Sequence, residues 1–156
     1  MSFTTTQASN GFPEGTRVMP SSLYPDYEVA PVMEEENSQT PSSRSWRNRA
    51  WASRERPDPH WIEFSLPKAQ PLSGMKVVWA TDQGEVFPSR RFAVQVKAEN
   101  KAEWETVWKT ETNLAKTTEA IFPSRAIQKI RLLQEPEGGS SARPNLMWVE
   151  RVEALP

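Results

Sequence analysis

Cysteine is absent from the 156 residues, which removes disulfides, thiolate metal ligands and thiol nucleophiles at once. There is one histidine, His60, and no Gly-x-Ser-x-Gly turn, so no nucleophile–base pair is legible. Glu55 and Asp58 share a surface stretch, but nothing around them would raise a carboxyl pKa as an acid catalyst requires. The chain is therefore not expected to be an enzyme. Charge of one sign is also missing: the formal net charge is −1, with no basic field of the kind nucleic acid attracts. No apolar run reaches the length of a membrane span, and the N-terminus carries no basic and apolar signal pattern. Long stretches of 3.6-residue periodicity are absent too, and fourteen prolines argue against a helical fold.

Short alternating stretches take their place. Trp61–Leu66 sets Ile62, Phe64 and Leu66 against Trp61, Glu63 and Ser65, the pattern of a strand with one face in a core. Met75–Ala80, Arg91–Ala98, Trp104–Lys109, 117–122, Ile127–Gln134 and 146–155 read likewise, with Thr16–Met19 as a short first strand. Turn residues separate them and no helical segment intervenes, so an all-β, antiparallel, eight-stranded sandwich of jelly-roll type is expected. Residues 1–16 read as a flexible polar lead and 17–156 as one sandwich domain. Seven tryptophans and six phenylalanines supply the apolar area that a hydrophobic content of 37% otherwise leaves short.

If the strands run up and down, the stretches 34–60, 80–91, 110–117 and 134–146 meet at one end. The shorter connections 67–74, 98–103 and 123–126 meet at the other. Long loops collected on a rigid scaffold are the usual place for binding. The long-loop rim is rich in hydrogen-bonding side chains. Between Arg44 and Arg56 lie five arginines and one acidic residue, although the whole chain is balanced. Guanidinium forks match carboxylate, sulfate and phosphate, which points to an anionic ligand; the competing reading pairs them with Glu34, Glu35 and Glu36.

The order of these features resembles the discoidin, or coagulation-factor type C, domain, and more closely carbohydrate-binding module family 32. The resemblance rests on Ala50-Trp51-Ala52-Ser53, Pro59-His60-Trp61-Ile62-Glu63-Phe64, and an apolar strand after the turn Pro71-Leu72-Ser73-Gly74. It continues through residues 87–95 (FPSRRFAVQ), Trp104-Glu105-Thr106-Val107, Ile130-Arg131-Leu132 and Val149-Glu150-Arg151-Val152-Glu153, covering about residues 20–155. It implies a galactose-binding-like fold and a non-catalytic module that binds an oligo- or polysaccharide and holds an attached polysaccharide-active enzyme on its substrate. Such a protein would be extracellular or periplasmic, part of a larger secreted chain, and monomeric. The arginines add the expectation of an acidic glycan, whether a uronate, a sulfated or a pyruvylated one. The other reading is a protein-binding or acidic-phospholipid-binding module of discoidin type, for which exposed apolar spikes are few. A third is a structural spacer.

Sugar recognition needs aromatic plates for C–H faces and planar groups for paired hydroxyls. The expected ligand-binding set is Trp46, Arg47, Arg49, Arg54, His60, Phe87, Arg90, Arg143 and Asn145. Trp46 is the first choice of plate and Phe87 the second, with Trp51 packed beneath the rim. Trp61, Trp79, Trp104 and Trp148 lie on strands and are expected in the core. For His60, Arg90 and Asn145 the competing reading is structural: hydrogen bonds that steady loops. Arg143 in its Gly/Ser stretch could equally be solvated. Glu150 matches the glutamate that helps hold a structural calcium in the family. The family's Asp-Gly-Asn/Asp turn, however, is replaced by Met33-Glu34-Glu35-Glu36-Asn37, and calcium wants six to eight shaped oxygens.

Overall fold

Strands form where apolar residues recur every second position, and the core gathers where those faces meet. The computed structural model describes residues 4–5 (backbone), 10–34 and 49–156. Among the described residues run ten strands: β1 (Thr4–Thr5), β2 (Arg17–Pro20), β3 (Trp51–Ala52), β4 (His60–Trp79), β5 (Thr81–Asp82), β6 (Glu85–Val86), β7 (Phe92–Lys97), β8 (Glu105–Thr110), β9 (Thr117–Gln134) and β10 (Trp148–Leu155). One 3-10 turn, Ala30–Met33, buries Pro31, Val32 and Met33. All pairings are antiparallel. The expected all-β sandwich is what is observed.

Two strands organise it. β4 and β9 pair along almost their whole length, from His60 opposite Gln134 to Val78 opposite Thr117. The first half of β4 takes β2 as its other neighbour and the last half of β9 takes β7, followed by β8. The second half of β4 takes β10 instead, and β10 also pairs β3. The same two strands thus run through both layers. Sequence reading placed turns at 67–74 and 123–126; the structure replaces both with bulged corners inside continuous strands. The register slips between Ser65 and Gln70 and again between Leu72 and Gly74. Pro67 and Pro123 sit where the register slips and a missing N–H interrupts no regular ladder, and Pro71 stands opposite Ala126 in the short paired stretch between the slips.

The inner faces close on one core. Ile62, Phe64, Phe92, Val94, Ile130 and Leu132 from one layer meet Met75, Val77, Trp79, Val149 and Val152 from the other. Trp79 crosses Phe92 edge-on at 5.1 Å and donates its indole N–H to Thr118 Oγ1 at 3.0 Å. Removing such a side chain would cost about 3–5 kcal/mol through lost burial and the cavity left behind.

The expected flexible lead needs correcting from residue 10 onward. Phe12 is 2% exposed and stacks on Phe64 with centroids 4.7 Å apart. Gly11 turns the chain there at φ +78°, so close to Ala154 that any Cβ would strike the Ala154 carbonyl. Asn10 O in turn accepts from Ala154 N at 2.7 Å. Scattered apolar residues in a polar stretch, with no periodicity among them, gave no sign of this packing. The 80–91 stretch also holds more order than expected. β5 and β6 form a two-residue-loop hairpin, with Gln83 at φ 52° and Gly84 at φ 83° matching the twist of its strands.

Candidate functional site

Four stretches meet at one end of the sandwich, and backbone chemistry holds them there. Ser53 N donates to Met147 O at 2.9 Å and Met147 N donates back to Ser53 Oγ at 3.0 Å. Arg56 N donates to Asn145 O, Arg90 N to Gly138 O, and Asn113 N to Arg90 O, at 3.0, 2.7 and 3.0 Å. Buried Ser89 donates its hydroxyl to Gln134 Oε1, and the Gln134 amide donates onward to Leu146 O at 3.3 Å. Of the expected gathering of 34–60, 80–91, 110–117 and 134–146, hydrogen bonds tie together the last three with residues 53–60 of the first, while 35–48 lie outside the described residues. Each bond satisfies a group that burial would otherwise strand.

His60 belongs to this frame. It is 3% exposed, and Nε2 lies 2.9 Å from both Arg56 O and Asn145 O. Two carbonyl oxygens only accept, so Nε2 carries the proton and shares it between the loops. Arg90 is built in similarly: Nε donates to Gly139 O and an Nη to Glu137 O at 2.8 Å. Both side chains take up loop-holding positions. Asn145 is half-buried, and its carbonyl serves the same frame. Its Oδ1 is enclosed and has no partner among the described residues. Arg54 is exposed; its backbone N–H donates to Ser22 Oγ at 3.0 Å and its carbonyl accepts from Ser53 Oγ at 2.9 Å. Arg49 is half-buried. Trp46 and Arg47 lie outside the described residues.

A cavity of about 250 Å³ opens at this end. Tyr24, Tyr27 and Trp148 supply aromatic wall, Ala52 and Leu146 apolar wall, and Asp82 and Arg143 the charged groups. Tyr24 and Tyr27 meet edge-on at 5.6 Å, and Tyr24 N is tied to Ala52 O at 2.8 Å. Phe87 does not reach the cavity wall; it backs Trp148 at 5.0 Å. Sequence reading placed Trp148 in the core, and at 5% exposure it is mostly there, with an edge on the cavity. The two tyrosines and Asp82 went unassigned. The spacing Tyr24-Pro25-Asp26-Tyr27 in an aperiodic stretch was the available signal, since a turn brings such aromatics side by side.

Among the described residues, Arg143 is the one member of the expected set that lines the cavity. Its fork is occupied: Nε and an Nη donate to Glu55 Oε2 and Oε1 at 3.0 and 2.7 Å. The guanidinium also lies 5.9 Å from the Tyr24 ring centroid. Those hydrogen bonds hold the Glu55 carboxyl below its usual range, against the opposing pull of partial burial. They push Arg143 above the usual arginine range.

Larger hollows lie at the opposite end, about 590 Å³ beside Trp104 and about 450 Å³ beside Phe122. Both border the Glu105–Arg125 pair, bonded at 2.8 and 2.7 Å. Trp104 was expected in the core. It is half-buried instead, with Lys97 and Arg131 4.9 and 4.2 Å from its ring. The rim cavity is the better site because three aromatics and two charges converge on a space the size of one pyranose ring.

Among the described residues no three His, Cys, Asp or Glu side chains come close enough to hold a metal. Glu150 stands as the extra residue where β10 slips register between Val149 and Arg151. The stretch that would join it, from Glu35 onward, lies outside the described residues. Among those residues, too, no helix is long and apolar enough to cross a membrane.

The fold is an antiparallel β-sandwich with a loop-built cavity at one end. Residues 39–132 match the family model of the NedA-like, galactose-binding domain, more than half of the chain, and the chain belongs to that family. Chitosan-binding module 1 from a chitosanase/glucanase of Paenibacillus sp. IK-5 superposes with a TM-score of 0.68 at 19% identity, over 89% of this chain and 93% of that one. A family 32 carbohydrate-binding module from Clostridium perfringens, in complex with GalNAc-β-1,3-galactose, gives 0.66 at 9% identity, over 90% and 95%. A Ruminococcus gnavus GH29 fucosidase gives 0.68 at 10% identity, over 90% of this chain and 25% of the enzyme. No curated protein matches the sequence.

Proposed function

We propose that the protein is a non-catalytic carbohydrate-binding module whose rim cavity takes a single sugar residue of a glycan. The observation that carries this is the cavity wall. Tyr24, Tyr27 and Trp148 offer faces and edges for sugar C–H groups, while Asp82 and Arg143 offer planar partners for hydroxyls. The similar structures support the reading, two being carbohydrate-binding modules and one an enzyme of which a quarter matches this chain. By analogy the module is one part of a secreted polysaccharide-active enzyme. Tethering to the glycan would raise the local concentration of substrate at the catalytic domain.

The anionic part of the reading moves to the cavity's surroundings. Arg90 and Arg143 are engaged inside the protein, whereas Arg54 and Arg56 are exposed on the neighbouring stretch. A carboxylate or sulfate on the glycan would meet those two. A glycan array carrying neutral and acidic polysaccharides tests the proposal. Binding to at least one class is expected, lost by about tenfold or more in Tyr24→Ala with the fold intact. Binding to none, together with binding to acidic liposomes, would transfer the protein to the phospholipid-binding class. Salt-independent binding of an acidic polysaccharide would remove Arg54 and Arg56 from the account.

A further inference from the structure

β7 and β9 turn one face to the core and the other outward, and the outward face gathers positive charge. Val94, Val96, Ile130 and Leu132 fill inner positions, so Gln95, Lys97, Lys129 and Arg131 stand on the outside. The ladder sets Lys97 directly opposite Lys129 and Gln95 opposite Arg131. Successive outward residues of a strand are about 7 Å apart, so the three cations form one patch. On β4, Glu63 stands in register with Arg131 and lies 3.4 Å from Lys129 Nζ. Three cations thus share one carboxylate at these face positions. Arg131 donates its Nε to Gln95 Oε1 at 2.8 Å, a neutral acceptor that does nothing to balance its charge. Partial burial pulls Arg131 below the usual arginine range, and Glu63 pulls the other way.

Like charges directly opposite one another destabilise a sheet. An outward position of β7 would accept a neutral or acidic residue at 97 as readily as lysine, so the pairing with Lys129 carries a cost that an external anion would offset. Trp104 steadies the patch: its ring lies 4.2 Å from Arg131 Cζ and 4.9 Å from Lys97 Nζ. The cations therefore stand on strands, held in place before any ligand arrives. Glu34 and Arg49, the described residues on either side of 35–48, adjoin the 3-10 turn and β3, which both pack on β10 in the other layer. We propose that Lys97, Lys129 and Arg131 form a second binding site, on the outer sheet face, for the carboxylate or sulfate groups of an acidic polysaccharide. Guanidinium and ammonium groups are the natural partners of both anions. A polysaccharide repeats its anion along the chain, so one strand of it can meet neighbouring cations in turn. A membrane surface fits less well, because these cations lie on a sheet face and not beside protruding apolar loops. This site is separate from the rim cavity and does not depend on it.

The test is an NMR titration with hexagalacturonate, its methyl ester and a heparin hexasaccharide, on wild type, Lys97→Glu, Lys129→Gln and Tyr24→Ala, with a thermal melt of each. At least one acidic hexasaccharide should shift the Lys97, Lys129 and Arg131 amides, with an affinity that falls as salt is added, and the neutral ester should not. Lys97→Glu turns a like-charged cross-strand pair into an opposite one. It should weaken acidic binding by about tenfold or more without lowering the melting temperature. Lys129→Gln should weaken binding in the same direction, and Tyr24→Ala should leave the β7 and β9 shifts in place. An affinity of Lys97→Glu within about twofold of wild type would overturn the inference. So would equal binding of the ester, or a Lys97→Glu variant that melts well below wild type, which would make Lys97 a structural partner of Trp104. Shifts confined to the rim would remove this site and leave carbohydrate binding standing. Binding to phosphatidylserine vesicles that Lys97→Glu abolishes, with neither acidic hexasaccharide bound, would give the patch to a lipid surface and overturn the polysaccharide assignment.

Discussion

Two arginine–carboxylate forks stand at opposite ends of the sandwich with nearly the same geometry. Arg143 grips Glu55 at 3.0 and 2.7 Å, and Arg125 grips Glu105 at 2.8 and 2.7 Å. What differs is what each fork is attached to. Arg143 and Glu55 come from two long loops 88 residues apart, are each about one-third exposed, and form part of a cavity wall. Glu105 and Arg125 are carried by strands β8 and β9, whose ladders place them whether or not they pair, and their side chains are 58% and 37% exposed. The same bond can organise a site in one place and decorate a surface in another. Scaffolding decides which.

The sharpest way to break this contrast is to disturb the rim backbone while leaving the side chains of both forks unchanged. Gly139 has no room for a Cβ: the Leu146 carbonyl would be struck, and Arg143 O would stand at 2.6 Å. Gly139→Ala should destabilise the domain by about 3 kcal/mol and abolish glycan binding. Chemical denaturation and titration check both; a stable, binding-competent variant would mean that the rim tolerates slack.

His60 comes next. Substitution by Ala leaves two loop carbonyls without their shared donor, at a cost of about 1–3 kcal/mol by urea denaturation. Exchange protection should fall at the Arg56 and Met147 amides and hold at β8. Equal loss at both ends would show that the histidine supports the core generally.

Comparing the forks directly should produce a smaller change in stability and a clear one in function. Arg143→Met should weaken glycan binding by about tenfold with under about 1 kcal/mol lost, because partial exposure screens the pair. Arg125→Met should change neither binding nor melting temperature. A binding loss from Arg125→Met would move attention to the hollows beside Trp104 and Phe122.

Smallest is the pH effect, whose sign follows from the carboxyls. Glu55 is held below its ordinary value of 4.5, chiefly by the Arg143 hydrogen bonds. A depressed folded value contributes stability that is complete above about pH 4.5 and is lost as pH falls through it. Between about pH 5 and pH 3 the wild type should therefore lose more melting temperature than Glu55→Gln. Glu105→Gln should leave the profile closer to wild type, since solvent screens its pair more fully.

Much of this was legible in the chain because strands announce themselves locally. The alternation of Phe92, Val94 and Val96 against Ala93, Gln95 and Lys97 named the buried face of β7 correctly. The same holds for Ile62 and Phe64 in β4. What misled was proline: Pro67, Pro71 and Pro123 read as strand ends, yet they mark corners through which β4 and β9 continue. A bulge and a turn share the same local composition, and only the pairing partner tells them apart. The cavity was less legible still. Its wall comes from four separated stretches, and nothing in Tyr24 or Asp82 states that Trp148 stands opposite.

The sequence by itself determined the layer architecture, the buried faces and the end at which the long stretches collect, because period-two burial and turn chemistry are properties of neighbours along the chain. Tertiary structure alone decided the employment of the polar residues. It turned His60 and Arg90 inward to hold loops, set Glu55 on Arg143, and left a cavity between two tyrosines and Trp148. The physical reason is that a hydrogen bond is read from both ends. A side chain's composition declares what it can bond, and only the fold supplies the partner.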